Sequence, residues 1–361
     1  MSEPALKLTT YFNERARVGH RFLADAIFDL YERHELHTSV LLRGAYGFGE
    51  RHGPHGDRSL TLSESLPAVS AAVDTPERIT GALHELAATA RHGLITLERA
   101  QLLGNDDLTP GAEVKLTVYG GRGTRANGQA GYVAAIDLLR ARGATAAHVL
   151  LGVDGTLHGE RYRARFFARN AEVPLMLLAV GPAEALGGAV GPLRELIADA
   201  IVTVERIETV RAAGDGDSQA PEAPERDPTG LPIWQQVTVH IEESASVRGR
   251  PVYLELVHRL HAAGAPGATV LRAVRGFYAD HEPFADHIFR LRRRVPVLVV
   301  AIDTPANVRA WWPVVEELTA RDGLVTSELV PAIHAGADGR PPELTLAATP
   351  TASPDQPPPA A

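Results

Sequence analysis

Cysteine is absent from the 361 residues, which excludes disulfides, thiolate metal sites and cysteine nucleophiles. Lysine is nearly absent too. Lys7 and Lys115 are the only two, and arginine supplies almost all the basic charge. With 36 basic against 44 acidic residues the net charge is −8, so no basic face for nucleic acid is expected. No apolar run approaches the roughly 20 residues needed to cross a bilayer, so a membrane-embedded chain is not expected. The opening MSEPALKLTTYF lacks a basic start followed by an apolar stretch, and the expected location is cytoplasmic. The sequence also lacks a G-x-S-x-G elbow and an H-E-x-x-H pair. No catalytic constellation is found, no metal site is assigned, and the expectation is a protein that is not an enzyme.

What is present is a phrase written three times. LLRGAYGFGE (41–50), LLGVDGTL (150–157) and LRAVRGFY (271–278) place Arg43, Leu151 and Arg272 in one column, and Gly47, Gly155 and Gly276 in another. Around them LKLTTYF, VKLTVYG and QVTVHI open the units; LPAVSAAVD, VPLMLLAVG and VPVLVVAID follow, and GLITLER, AIVTVER and GLVTSEL close them. Five columns in constant order make three copies of one domain of roughly 100 residues. The predicted boundaries are 1–104 for the first copy, 112–211 for a divergent second and 231–336 for the third. Residues 212–230, acidic and rich in Pro and Gly, read as a flexible linker, and 337–361 as a disordered tail.

Within a copy the apolar period alternates between strand and helix. The stretch from Thr75 to Gly93 carries a cap residue, Glu77 in the first turn and a terminal glycine, and predicts a helix. The order is βαββαβ. The predicted class is α+β, with three tandem ferredoxin-like domains, each an antiparallel sheet with two helices on one face. PLMLLAV and PVLVVAI are apolar on both faces, so the uncovered face is expected to be buried against the other copies in a closed ring.

VLLRGAYGFG (40–49), His55 and LSESLP (62–67), with TVLRAVRGF and RGRPVYLELV in the third copy, resemble domain-of-unknown-function family 190, a relative of the PII signalling proteins. The resemblance implies a single-chain, monomeric PII-like pseudo-trimer. It further implies a signalling role: an adenine nucleotide or another small anion as effector between copies, and a protein partner such as a fluoride or other ion transporter. The sequence departs from PII in its short, lysine-free loop after Gly49 and in Leu151 and Thr156 of the middle copy. The alternatives are an assembly module without ligand and a CutA-like metal binder supported by the loop histidines His52, His55, His281 and His287.

The candidate effector residues are Arg43, Gly44, Gly47, Phe48, Gly49 and His55 in the first copy, and Arg272, Gly276 and Phe277 in the third. A guanidinium at a strand end beside glycines suits a phosphate or carboxylate. The competing readings are an ion pair locking neighbouring copies, turn glycines, and aromatics that pack between domains. GGRGTRANGQ (120–129) has the glycine spacing of a phosphate loop, but Gln129 and Ala130 stand where Lys and Ser/Thr belong. A looser anion site at Arg122, Gly123 and Arg125 is the remaining expectation there.

Overall fold

The computed structural model describes residues 2–49, 52–56, 66–91, 93–103, 108, 111–126, 128–165, 170–211, 219–279, 281, 283–285, 295–335 and 345–348. The first copy runs β1 (Glu3–Asn13), α1 (Leu23–Arg33), β2 (Thr38–Arg43), β3 (Tyr46–Gly49), β4 (Pro67–Asp74), α2 (Pro76–Thr89) and β5 (Leu94–Leu102). The second has β6 (Glu113–Gly121), α3 (Gly131–Ala141), β7 (Ala146–Leu151), β8 (Asp154–Leu157), β9 (Pro174–Pro182), α4 (Ala183–Gly187), α5 (Val190–Leu196) and β10 (Ile201–Arg206). The third has β11 (Trp234–Glu242), α6 (Val252–Ala262), β12 (Ala268–Arg272), β13 (Arg275–Tyr278), β14 (Pro296–Asp303), α7 (Pro305–Thr319) and β15 (Leu324–Val330).

Period-2 patterning decides what each strand face does. In β1, Leu6 and Leu8 join Ile27 and Leu30 of α1 and Ile79 and Leu83 of α2 in a helix-covered core. The intervening Lys7, Thr9 and Tyr11 point the other way. Each copy repeats one antiparallel order: β5-β1-β4-β2, β10-β6-β9-β7 and β15-β11-β14-β12. The faces turned away from the helices share one core, in which Val40, Leu42, Val69, Leu150, Met176, Leu271 and Leu298 come from all three copies. Thr75 stands just before α2 but its side chain makes no cap, whereas Thr304 before α7 accepts from the Asn307 amide. Gly187–Gly188 breaks the second helix of the middle copy into α4 and α5.

The copies exchange edges in a cycle. β3 of the first copy pairs with β12 of the third, β8 of the second with β2 of the first, and β13 of the third with β7 of the second. A further exchange runs along the closing strands. β5 pairs with β10, the strand Glu208–Arg211 with β15, and the strand Ala332–Ala335 with β5. Both edges of each four-stranded sheet are thereby covered, which satisfies their outward backbone groups.

Of the stretch read as a flexible linker, residues 219–230 make local hydrogen bonds. Buried Asp227 accepts from the Thr229 and Leu231 amides, at 2.9 and 2.7 Å, and closes a turn before Ile233 enters the core. Part of the stretch read as a disordered tail also docks, with the Ala347 amide donating to the Pro331 carbonyl at 3.1 Å and the Ala348 amide to Asp227. Residues 212–218 lie outside the described residues. Among the described residues no helix is long and apolar enough to cross a membrane.

Candidate functional site

The lysines that distinguish the sequence by their scarcity meet where the three sheets converge. Antiparallel register sets Lys7 opposite Glu98, Lys115 opposite Glu205, and Gln236 opposite Glu328, one pair from each copy. Lys7 Nζ bridges Glu98 Oε2 at 2.9 Å and Glu205 Oε2 at 3.1 Å. Lys115 Nζ bridges Glu205 Oε2 at 2.6 Å and Glu328 Oε2. Gln236 Nε2 donates to Glu328 Oε1 at 3.2 Å, and its own Oε1 accepts from Tyr11 Oη. All six side chains at these positions are buried.

The electrostatics follow from three carboxylates sharing two ammoniums. Burial works to lower the Lys7 pKa, but Glu205, Glu98 and Glu328 outweigh it and hold the ammonium well above its ordinary value. Burial likewise works to raise Glu205, and its two lysine partners pull it below the usual carboxylate value. Glu328 has a single lysine, so burial wins and its pKa is raised. Glu98 fills its second oxygen from Thr96 Oγ1 at 2.9 Å, whereas Glu205 Oε1 is buried without a partner.

These carboxylates line a cleft of about 840 Å³. Five glutamates (Glu98, Glu205, Glu208, Glu222 and Glu328) line it against two arginines (Arg99 and Arg206), and Leu6, Val114, Ile207, Ile233 and Leu329 give it apolar walls. Burial first, and then Glu222, raise the pKa of Glu208 in its wall. Glu98, Glu205 and Glu328 place ligand atoms within 4.8 Å of one another. Two ammoniums already occupy that space, which disfavours a divalent ion.

Also buried, His148 of β7 and His240 of β11 stack, with Nε2 of the first 2.8 Å from Nδ1 of the second. Burial, then Lys115, lowers His240 to about 3; burial, then His240, lowers His148. Unfolded histidine takes up a proton near pH 6.5, whereas these two stay neutral when folded. Their contribution is therefore present above pH 6.5 and is lost as pH falls towards the folded values. Urea midpoints should fall steadily from pH 7.5 to pH 5, and His240→Gln should remove about one proton from that slope. Equal slopes in parent and variant would show that the pair is not held neutral.

The sequence-predicted residues lie elsewhere: Arg43 and Arg272 end the strands that lead into the exchanged hairpins, the glycines and aromatics after them are on or beside those hairpins, and Arg122, Gly123 and Arg125 follow β6. Arg43 Nε meets Glu14 Oε2 at 2.7 Å, and Arg272 Nη2 meets Glu243 Oε1 at 2.9 Å. Each pair lies within one copy, 29 residues apart, so these ion pairs do not lock neighbouring copies together as one reading expected. In the middle copy Leu151 replaces the arginine and Arg122 stands in the glutamate column, donating to the Asn170 carbonyl at 2.9 Å. The Arg43 side chain is 63% exposed, enough for an added anion to reach it.

The glycine column has a structural reason. A Cβ on Gly47, Gly155 or Gly276 would come under 3.0 Å from the carbonyl oxygen of Ala268, Ser39 or Ala147 on the neighbouring copy's edge strand. Gly44 is closed off in the same way by Pro67, and Gly123 by Ala171; Gly49 faces open space. Phe48 is buried in the third copy's core, edge-on to His261, and Phe277 in the second copy's core. Neither ring is presented to a cleft, because exchanging the hairpin carries its aromatic into the neighbour. Arg125 donates to the Gly128 carbonyl in its own turn. His55 pairs through its backbone with Gly47, and its side chain lies outside the described residues, as do those of His52 and His287. His281 bonds Asp322 at 3.1 Å.

Sequence reasoning used Lys7 and Lys115 only as repeat markers and passed over Glu98, Glu205 and Glu328. The signal was available: both lysines of the chain share one column, and an acid recurs in the column of the strand that closes each copy.

A family model, DUF190, described as an uncharacterized ACR, matches residues 5–102, 113–209 and 234–332. A UPF0166 protein of Aquifex aeolicus (strain VF5) is 33% identical over 97 residues, which span 27% of this chain and 90% of that protein. A solved structure titled as an unknown protein from Galdieria sulphuraria matches 56% of this chain and 99% of its own, at 13% identity and a TM-score of 0.18.

Proposed function

This chain belongs to the DUF190 family in three tandem copies, and from that premise we propose that it is a single-chain, PII-like pseudo-trimer of ferredoxin-like units that senses a small anionic effector. The cyclic exchange of hairpins carries the reading. A ligand beside an exchanged hairpin touches two copies at once, so its binding energy acts on the packing between them. The effector is an adenine nucleotide, held by the Arg43 and Arg272 guanidiniums with the Gly49 and His55 backbone close to the first; Gly44, Gly47 and Gly276, closed off by neighbouring chain, position the strands rather than touch it. Arg122, Gly123 and Arg125 are the corresponding anion-binding loop of the middle copy. Nucleotide-dependent preference for one loop arrangement changes affinity for a partner, an ion transporter at the cytoplasmic face. The burial of Phe48 and Phe277 removes base stacking from this picture and leaves phosphate recognition as its chemistry.

A thermal-shift panel of ATP, ADP, AMP and cyclic nucleotides tests it. One nucleotide at 100 times its dissociation constant should add about 2.7 kcal/mol of stability. The shift should vanish in Arg43→Ala/Arg272→Ala, read against that variant's own midpoint: the exposed Arg43–Glu14 pair contributes about 0–1 kcal/mol, whereas the loss of Arg272 takes a partner from the buried Glu243 carboxylate and lowers the midpoint. If no nucleotide shifts the midpoint, the assembly-module reading replaces this one. In its favour, Arg43 and Arg272 already have carboxylate partners within their own copies, Glu14 and Glu243.

A further inference from the structure

The cluster at the acidic cleft is an incomplete ring. Lys7 joins its cross-strand partner Glu98 to Glu205 of the next copy, and Lys115 joins its partner Glu205 to Glu328 of the next. Repeating that step once more would place an ammonium between Glu328 and Glu98. The residue in that column is Gln236, a neutral side chain that reaches Glu328 and makes its second bond to Tyr11 rather than to Glu98. The carboxylates therefore outnumber the cations by one. The shortfall shows in a second way, as Glu205, which lines the cleft, has Oε1 buried and unpartnered. A buried carboxylate oxygen without a donor is costly and is ordinarily matched by one.

We infer that the cleft binds a small molecule through a primary ammonium group, which stands among Glu98, Glu205 and Glu328, completes the bridge between Glu328 and Glu98, and supplies the donor that Glu205 Oε1 lacks. An ammonium has three donors and one charge, the same chemistry that Lys7 and Lys115 present to this ring. A divalent ion would bring two charges to within reach of two fixed ammoniums. The rest of the ligand lies in the cleft, where Leu6, Val114, Ile207 and Leu329 offer apolar walls and the surplus of glutamate over arginine draws cations inward. Glu98, Glu205 and Glu328 line the cleft and Lys7 and Lys115 do not, so the incoming group meets the carboxylates. This site is separate from the hairpin arginines and does not depend on them.

The experiment uses the full chain, with n-hexylamine as probe and 1-hexanol and Mg²⁺ as controls, read by thermal shift and titration calorimetry at pH 7.5. Hexylamine should raise the midpoint saturably, and neither hexanol nor Mg²⁺ should reproduce the shift. Gln236→Lys supplies the missing ammonium from the chain itself. It should fold with a midpoint at or above the parent's and bind hexylamine at least tenfold more weakly. Glu328→Gln removes one carboxylate, and should also abolish the response while leaving both lysines paired. Arg43→Ala/Arg272→Ala should respond as the parent does, which separates this site from the nucleotide reading. Equal shifts from hexylamine and hexanol would overturn the inference in favour of simple apolar burial. So would a shift from Mg²⁺ alone, the absence of any shift, or undiminished amine binding by Gln236→Lys or Glu328→Gln.

Discussion

Gly155→Val should cost the protein at least about 3 kcal/mol, beyond the usual range for an exposed turn glycine. The added Cβ would come under 3.0 Å from the Ser39 carbonyl oxygen and from Pro174. The obstacle is backbone of β2, paired through Gly155↔Val40 and Thr156↔Ser39, so no side chain can rotate away to make room. The exchange between the first two copies has to open, and Leu157, buried in the shared core, loses its seat. Gly276→Val should behave alike, because its Cβ would meet Ala147 and His148 in the same geometry. Gly49→Ala is the control: nothing lies within 4 Å of that position, and its change should stay within about 0.5 kcal/mol. Urea unfolding of the three variants decides the matter. If Gly155→Val shifts the midpoint no further than Gly49→Ala does, the copies do not exchange hairpins in solution.

Lys115→Met should destabilise the protein by about 3–5 kcal/mol at pH 7, the usual cost of leaving buried charge uncompensated. Methionine matches the stem of lysine in volume, so the loss reports charge rather than packing. Without Lys115, Glu328 has no ammonium and Glu205 only Lys7. Burial then raises both carboxylates above the value of 4.5 they have when unfolded. A carboxyl whose folded pKa is raised favours the folded state when protonated, and that contribution is lost as pH rises through the folded value. The deficit against the parent should therefore shrink as pH is lowered towards 4.5. Adding Glu328→Gln should recover part of the loss at pH 7, since it removes one of the stranded charges. A deficit that stayed constant with pH, measured by chemical denaturation of both proteins, would mean that the lysine acts through packing alone.

The two predictions divide what the chain states locally from what it states only when folded. The repeat was legible because it is written in the residues: Gly47, Gly155 and Gly276 recur at offsets of 108 and 121, among strands and helices whose period each copy repeats. The burial of both sheet faces was legible for the same reason, since PLMLLAV and PVLVVAI leave no polar side for water. The location of the chemistry was less so. A glycine beside an arginine suits a ligand turn and a close backbone crossing equally well, and at Gly47, Gly155 and Gly276 the close crossing is what is found.

By itself the sequence determined three copies and the inward and outward faces of their apolar strands, because these depend on periods of two and 3.6 residues within short windows. By contrast β3, β8 and β13, the extra strand that each copy carries beyond the βαββαβ order, have no such apolar period and went unread. Only the tertiary structure decided whose edge each hairpin covers and which charges meet. Lys7 and Glu205 are 198 residues apart, and Lys115 and Glu328 are 213 apart. Nothing in a local window distinguishes a lysine bound for solvent from one bound for a buried carboxylate. The difference arises when three sheets converge, water is excluded, and each ammonium finds two partners in place of its hydration.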